Sequence, residues 1–179
     1  MRLLIGLMLL LCYAPFLMAA PSNDPSCLVG NPAPAFQLPD INGKRFSLDD
    51  DQGDYQALLI VFWGVWCPYC REILVGLSEQ YDQLRARGLE VIAIGIRESS
   101  AKVGLFINQL QPGFRVLIDE WAELKDRYLI QDVPLALILD QDHIVRAAVI
   151  TTSAEKVQAM IDEALGPETS GETGRETSR

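Results

Sequence analysis

The apolar residues fall into two kinds of run. Leu59-Ile-Val-Phe-Trp63, extended back to Ala57, and Leu89-Glu-Val-Ile-Ala-Ile-Gly-Ile96 are nearly continuous, the pattern of strands buried on both faces of a sheet. Between them, residues 68–86 carry Ile73, Leu74, Leu77, Tyr81 and Leu84 at helical spacing, and Gly88 suits the stop. Strand, long helix and strand predict a parallel pair joined by a right-handed crossover. Ser99 and Ser100 can cap a helix over 101–110 that Pro112 and Gly113 break. Residues 115–118 read as a short strand and 120–128 as a helix, with Phe106 and Trp121 at core positions. Two apolar runs, 133–140 and 144–151, flank the polar turn Gln141-Asp-His143 and predict an antiparallel hairpin. Thr152 with Glu155 forms a capping-box pattern for a last helix over 154–165, ended by Gly166-Pro167. Near the start, Phe36-Gln-Leu38 and Lys44-Arg-Phe-Ser47 read as a small hairpin, and the acidic stretch after Ser47 as a solvated helical turn.

These elements imply an α/β chain. With 179 residues, 49% of them apolar, one core is expected, placed in residues 31–166 after a turn-rich arm over 21–30. Residues 167–179 have no large apolar side chain and are expected to stay unstructured. Met1-Arg2, an apolar run to Met18 and the pair Ala19-Ala20 have the form of a secretory leader, so residues 1–20 predict export. Cleavage after Ala20 is expected; left uncut, the leader would be a membrane anchor, although the run is short and Pro15 interrupts it. Acidic residues outnumber basic ones by 24 to 15 and the basic ones are scattered, which leaves no footprint for nucleic acid.

The chemistry concentrates where the first buried strand meets the long helix. Cys67 and Cys70 stand at that helix start, where unsatisfied amides and the macrodipole favour negative charge. A thiolate at Cys67 is thereby stabilised, which predicts an accessible nucleophile with a lowered pKa. Cys70, about one turn inward, can close a disulfide with Cys67 and release a partner held there as a mixed disulfide. The pair carries two electrons by itself, so no cofactor is expected. A structural zinc would need two more ligands, for which only Cys27 and His143 stand outside the leader, so no metal is expected. Covalent haem attachment needs His after the second cysteine, where Arg71 stands. Cys27 lies in the Pro/Ser/Asn-rich arm and reads as an incidental exposed thiol; neither it nor Cys12 has a lipoprotein context.

Val61-Phe-Trp-Gly-Val-Trp-Cys-Pro-Tyr-Cys70 resembles the active-site segment of thioredoxin-like proteins. Gly30-Asn-Pro-Ala-Pro-Ala-Phe-Gln-Leu-Pro-Asp-Ile-Asn-Gly43 resembles the N-terminal motif of the exported TlpA-like branch, which includes reductases serving cytochrome c maturation. The resemblance covers roughly residues 30–166 and implies a thioredoxin-like fold, a central mixed sheet flanked by helices with an N-terminal β-hairpin. It implies that Pro134 is cis and faces the disulfide, that Val133 pairs with an extended substrate peptide by strand addition, and that Trp66 flanks the substrate. Trp63 is expected in the core, and Pro68 and Tyr69, between the cysteines, tune the potential. The partners it implies are disulfides of exported, periplasmic proteins such as apocytochromes, and a membrane electron donor. Two departures bear on proton handling. Val61 stands where many thioredoxin-like proteins have Asp or Asn, and Ile73 where TlpA-like reductases often have an acid; Glu72 falls on another helical face and reads as solvated. His143, in the hairpin turn, reads as a surface residue. Two alternatives share the fold: a thiol peroxidase, through the Ala-Pro-x-Phe segment, and a copper-handling chaperone.

Overall fold

The computed structural model describes residues 23–51 and 53–166. The expected leader and the polar tail lie outside these described residues. The five-stranded sheet has the order β5-β4-β3-β6-β7, built from β3 (Ala57–Trp63), β4 (Leu89–Ile96), β5 (Arg115–Asp119), β6 (Leu135–Asp140) and β7 (Val145–Ile150). β3 pairs in parallel with β4, Trp63 opposite Gly95, and β4 with β5; β6 runs antiparallel to β3, Leu135 opposite Phe62. The crossover from β3 to β4 is α1 (Pro68–Ala86), which packs against α3 (Ala154–Leu165). α2 (Ser100–Leu110) links β4 to β5 and sets Phe106 against Trp63. β1 (Gln37–Pro39) and β2 (Arg45–Ser47) form a separate antiparallel hairpin that bridges to β5 through Asp40 and Leu117. This is the thioredoxin-like mixed sheet with an N-terminal hairpin that the sequence implied.

Burial is deepest at the centre of the sheet. Every residue of β3 is buried, so the two cysteines hang from the most deeply packed strand of the sheet. Truncating one large side chain there, such as Leu59, would cost about 2–5 kcal/mol in lost transfer energy and cavity. The helix that carries the two cysteines therefore starts from a rigid base.

Several local expectations are corrected. Residues 120–128 form successive turns rather than a helix. The carboxylate of Asp119 accepts the amides of Glu123 at 2.8 Å and Leu124 at 3.0 Å, and Ala122 and Leu129 take positive φ, which interrupts the helical ladder. Trp121, expected in the core, is consequently 80% exposed, whereas Phe106 packs on the core as expected. The cap of α3 is Ser153 rather than Thr152: its hydroxyl accepts the amide of Lys156 at 3.2 Å and donates to Glu155 at 2.6 Å. His143 is half-buried rather than a plain surface residue, its Nε2 3.0 Å from the hydroxyl of Tyr55. The arm is also more than a lead-in. Pro25–Leu28 is a 3-10 helix, and the residues just beyond it are stitched to β7: the amide of Gly30 donates to the Val145 carbonyl, and the amide of Val145 donates to that of Asn31.

Candidate active site

β3 ends at Trp63, and a tight turn at Gly64 delivers Cys67 to the first turn of α1, with the amide of Cys67 donating to the Gly64 carbonyl at 3.0 Å. A Cβ at Gly64 would stand 2.6 Å from the indole nitrogen of Trp66, so glycine here lets that ring lie close over the turn. Cys67 is the N-cap of α1 and Pro68 its first residue, a position where the missing amide costs nothing. The amide of Cys70 points at the Cys67 sulfur across 3.1 Å, so the helix tip supplies the hydrogen bond and the favourable dipole end that the sequence predicts for a sulfur anion. The two cysteines are joined as a disulfide with Cα atoms 5.3 Å apart.

The neighbouring loop closes over this pair. The Val133–Pro134 peptide bond is cis, and the Val133 carbonyl oxygen lies 3.7 Å from the Cys67 sulfur. The Val133 amide is taken by the carboxylate of Asp132 at 2.8 Å, and the Pro134 carbonyl accepts the amide of Thr151 at 3.2 Å. Cys67 is thus only 4% exposed, less open than the accessible sulfur expected, because the cis-proline loop covers it in the disulfide form. Trp66 (63% exposed) and Tyr69 (52% exposed) stand beside it at the surface, and Pro68 is exposed as well. The structure therefore brings Trp66, Cys67, Val133 and Pro134 to one place, with Cys70 buried behind and Pro68 and Tyr69 on the rim.

Val61 and Ile73 are buried and apolar, and Glu72 is exposed. A buried carboxylate on the turn before Cys67 comes from Glu98, just beyond the end of β4. It is 3% exposed, and its Oε1 accepts the amide of Val65 at 3.0 Å. Sequence reasoning missed this residue. The available signal was an acid two residues after an apolar parallel strand, at the carboxyl end where α/β sheets gather their sites. On the other side of the loop, the hydroxyl of Tyr128 donates to the Pro34 carbonyl at 2.6 Å and a guanidinium nitrogen of Arg127 donates to that of Ala35. Burial pushes the Tyr128 hydroxyl well above the usual phenol range, which keeps it a neutral donor.

The AhpC/TSA family model matches residues 29–160. The chain belongs to the AhpC/TSA family. The thiol-disulfide oxidoreductase ResA of Bacillus subtilis (strain 168) is 30% identical over 128 residues, covering 72% of this chain and 70% of the relative. A crystallised protein of Chlorobium tepidum, described as a candidate thiol:disulfide interchange protein DsbE, superimposes with TM-score 0.68 at 24% identity, over 77% of this chain and 98% of that one. A secreted Mycobacterium tuberculosis disulfide oxidoreductase, described as homologous to E. coli DsbE, gives 0.61 at 19% identity, over 72% and 95%. The protein is a thiol-disulfide oxidoreductase of thioredoxin-like fold. In an oxidoreductase of this kind, a helix-tip sulfur with its exchange partner one turn inward can pass between thiolate, mixed disulfide and internal disulfide with no other redox group.

Proposed function

We propose that Cys67 is the attacking sulfur and Cys70 the resolving one, and that the protein is exported and reduces disulfides of exported proteins, apocytochromes among them. The observation that carries this reading is the Cys70 amide aimed at the Cys67 sulfur, because a sulfur stabilised as an anion at a helix tip is the one of the pair present as the attacking thiolate near neutral pH. The Cys67 thiolate attacks one sulfur of the target disulfide and the other target sulfur leaves as a thiolate. The Cys70 thiolate then attacks Cys67, which releases the second target thiol and leaves the Cys67–Cys70 disulfide. Two electrons have passed to the target, and a membrane electron donor returns them. Trp66 and the Val133 backbone line the approach, and Pro68 and Tyr69 set the potential. The leader-like residues 1–20 support export to the periplasm, with or without a retained anchor. A secreted protein of the same fold is in keeping with it. The TlpA-like segments at 30–43 and 61–70 support the reducing direction.

The test is the reduction potential of the Cys67/Cys70 couple, with capture of partners by Cys70→Ser. A reductant lies well below about −200 mV and an oxidant near about −120 mV. Apocytochromes held to Cys67 as mixed disulfides would support the substrate class; their absence from cells making cytochrome c would remove it. Peroxide consumption outpacing disulfide exchange would move the assignment to the peroxidase alternative.

A further inference from the structure

We propose that the groove beside Cys67 is a specificity pocket for an acidic side chain next to the target cysteine of the substrate, read by Arg97 and Lys125; this rests on the exchange activity proposed above. The groove lies between Trp66 and Val133, the two residues that flank the Cys67 sulfur, and encloses about 160 Å³. That is well below the roughly 300–1,000 Å³ of small-molecule sites and suits one side chain of a peptide. Ile96, Ile130 and Val133, each buried, give it an apolar floor, and the exposed Arg97 and Lys125 stand at its edge. Among the described residues, neither cation forms an ion pair or a side-chain hydrogen bond. Of the carboxylates close by, Asp126 follows Lys125 and lines the neighbouring cavity, and two others are engaged with backbone amides. Asp132 holds the Val133 amide at 2.8 Å, and Glu98 is turned inward on the Val65 amide at 3.0 Å. An apolar floor under two unengaged cations fits a side chain with a short apolar stem and an anionic tip.

The backbone supports the same place. Of the five described non-glycine residues at positive φ, two line the groove: Arg97 at φ 55, with its amide on the Asp119 carbonyl at 2.9 Å, and Ala122 at φ 56; Leu129, at φ 54, precedes the lining residue Ile130, and Gln111 and His143 lie elsewhere. Left-handed backbone at non-glycine residues is uncommon and tends to gather at binding and catalytic sites. An arginine kept at φ 55, where glycine would be unstrained, sets a cation at the groove's edge at the expense of local backbone stability. The chain as a whole carries a net charge of −9, so its overall field disfavours acidic peptides. A preference for them must then come from local cations, and this separates the pocket from general steering.

The experiment compares the rates at which the reduced protein opens matched disulfide-bonded peptides that carry Glu, Gln or Lys beside the cysteine. The expected result is a Glu-to-Lys rate ratio of about tenfold at low ionic strength, shrinking as salt is added. The ratio falls towards one in Arg97→Gln/Lys125→Gln and inverts in Arg97→Glu. Arg97→Gly, which the left-handed backbone favours, lowers the ratio without any folding penalty, and Lys102→Gln, a cation on α2 outside the groove, leaves it unchanged. Equal rates for the Glu and Lys peptides, or a ratio that survives in the double variant, would overturn the pocket while the exchange activity stands. Failure to open any of the peptides would remove both.

Discussion

The carboxylate of Glu98 accepts the amide of Val65 across 3.0 Å, tying the end of β4 to the turn that delivers Cys67. A buried acid that accepts a backbone amide two residues before Cys67 acts as a brace for that turn. Glu98→Ala leaves the half-buried Val65 amide without its acceptor and is expected to lower stability by about 1 kcal/mol. It should also slow disulfide exchange more than that loss explains. Glu98→Gln keeps an acceptor and should restore most of the stability. Denaturant unfolding and exchange rates measured on the same preparations check both.

Gly64 offers a way to disturb Trp66 without touching the core. An added methyl would meet the indole of Trp66 at 2.6 Å, and because that ring is 63% exposed it can swing away. Gly64→Ala is therefore expected to stay folded, with a stability change of about 1 kcal/mol or less, while exchange with peptide disulfides weakens severalfold. Thermal unfolding paired with peptide kinetics would show this split. Equal kinetics in the variant would remove Trp66 from the substrate surface.

The hydroxyl of Tyr128 ties the segment before the cis-proline loop to the Pro34 carbonyl. Tyr128→Phe keeps the ring against Phe62 and Phe36 but strands that carbonyl, and is expected to cost about 1 kcal/mol in denaturant unfolding.

At the far end of the sheet, Asp140 predicts an acid limb of the stability curve. Partial burial works against its ionisation, but the amide of Ile144, the guanidinium of Arg146 and the amide of Asp142 outweigh it and hold the carboxyl below its ordinary 3.8. A carboxyl depressed in the folded state contributes stability above its unfolded pKa and loses it as pH falls through the folded one. Stability is therefore expected to drop below about pH 4, and less steeply in Asp140→Asn, as unfolding midpoints measured across acidic pH would show.

The sequence already contained the strands at 57–63 and 89–96 and the helix at 68–86, because long apolar periodicity leaves few other solutions for them. The Cys67–Cys70 disulfide was equally legible, since a helix start, a turn glycine and two cysteines three apart occupy one short segment. What escaped depended on contacts between distant residues. Residues 120–128 have helical spacing, yet the Asp119 side chain takes two of the amides that a helix ladder would use, and Trp121 ends at the surface. Glu98 could not be tied to Val65 by spacing, because only the pairing of β3 with β4 brings the ends of those strands together. The cover over Cys67 likewise needs the Val133 carbonyl, far along the chain.

The most direct test is the pH dependence of Cys67 alkylation in the reduced Cys70→Ser protein. With the amide of residue 70 at 3.1 Å from its sulfur, Cys67 is expected to reach half its maximal reactivity well below the roughly 8.5 of a free thiol. A midpoint at or above that value would contradict the account.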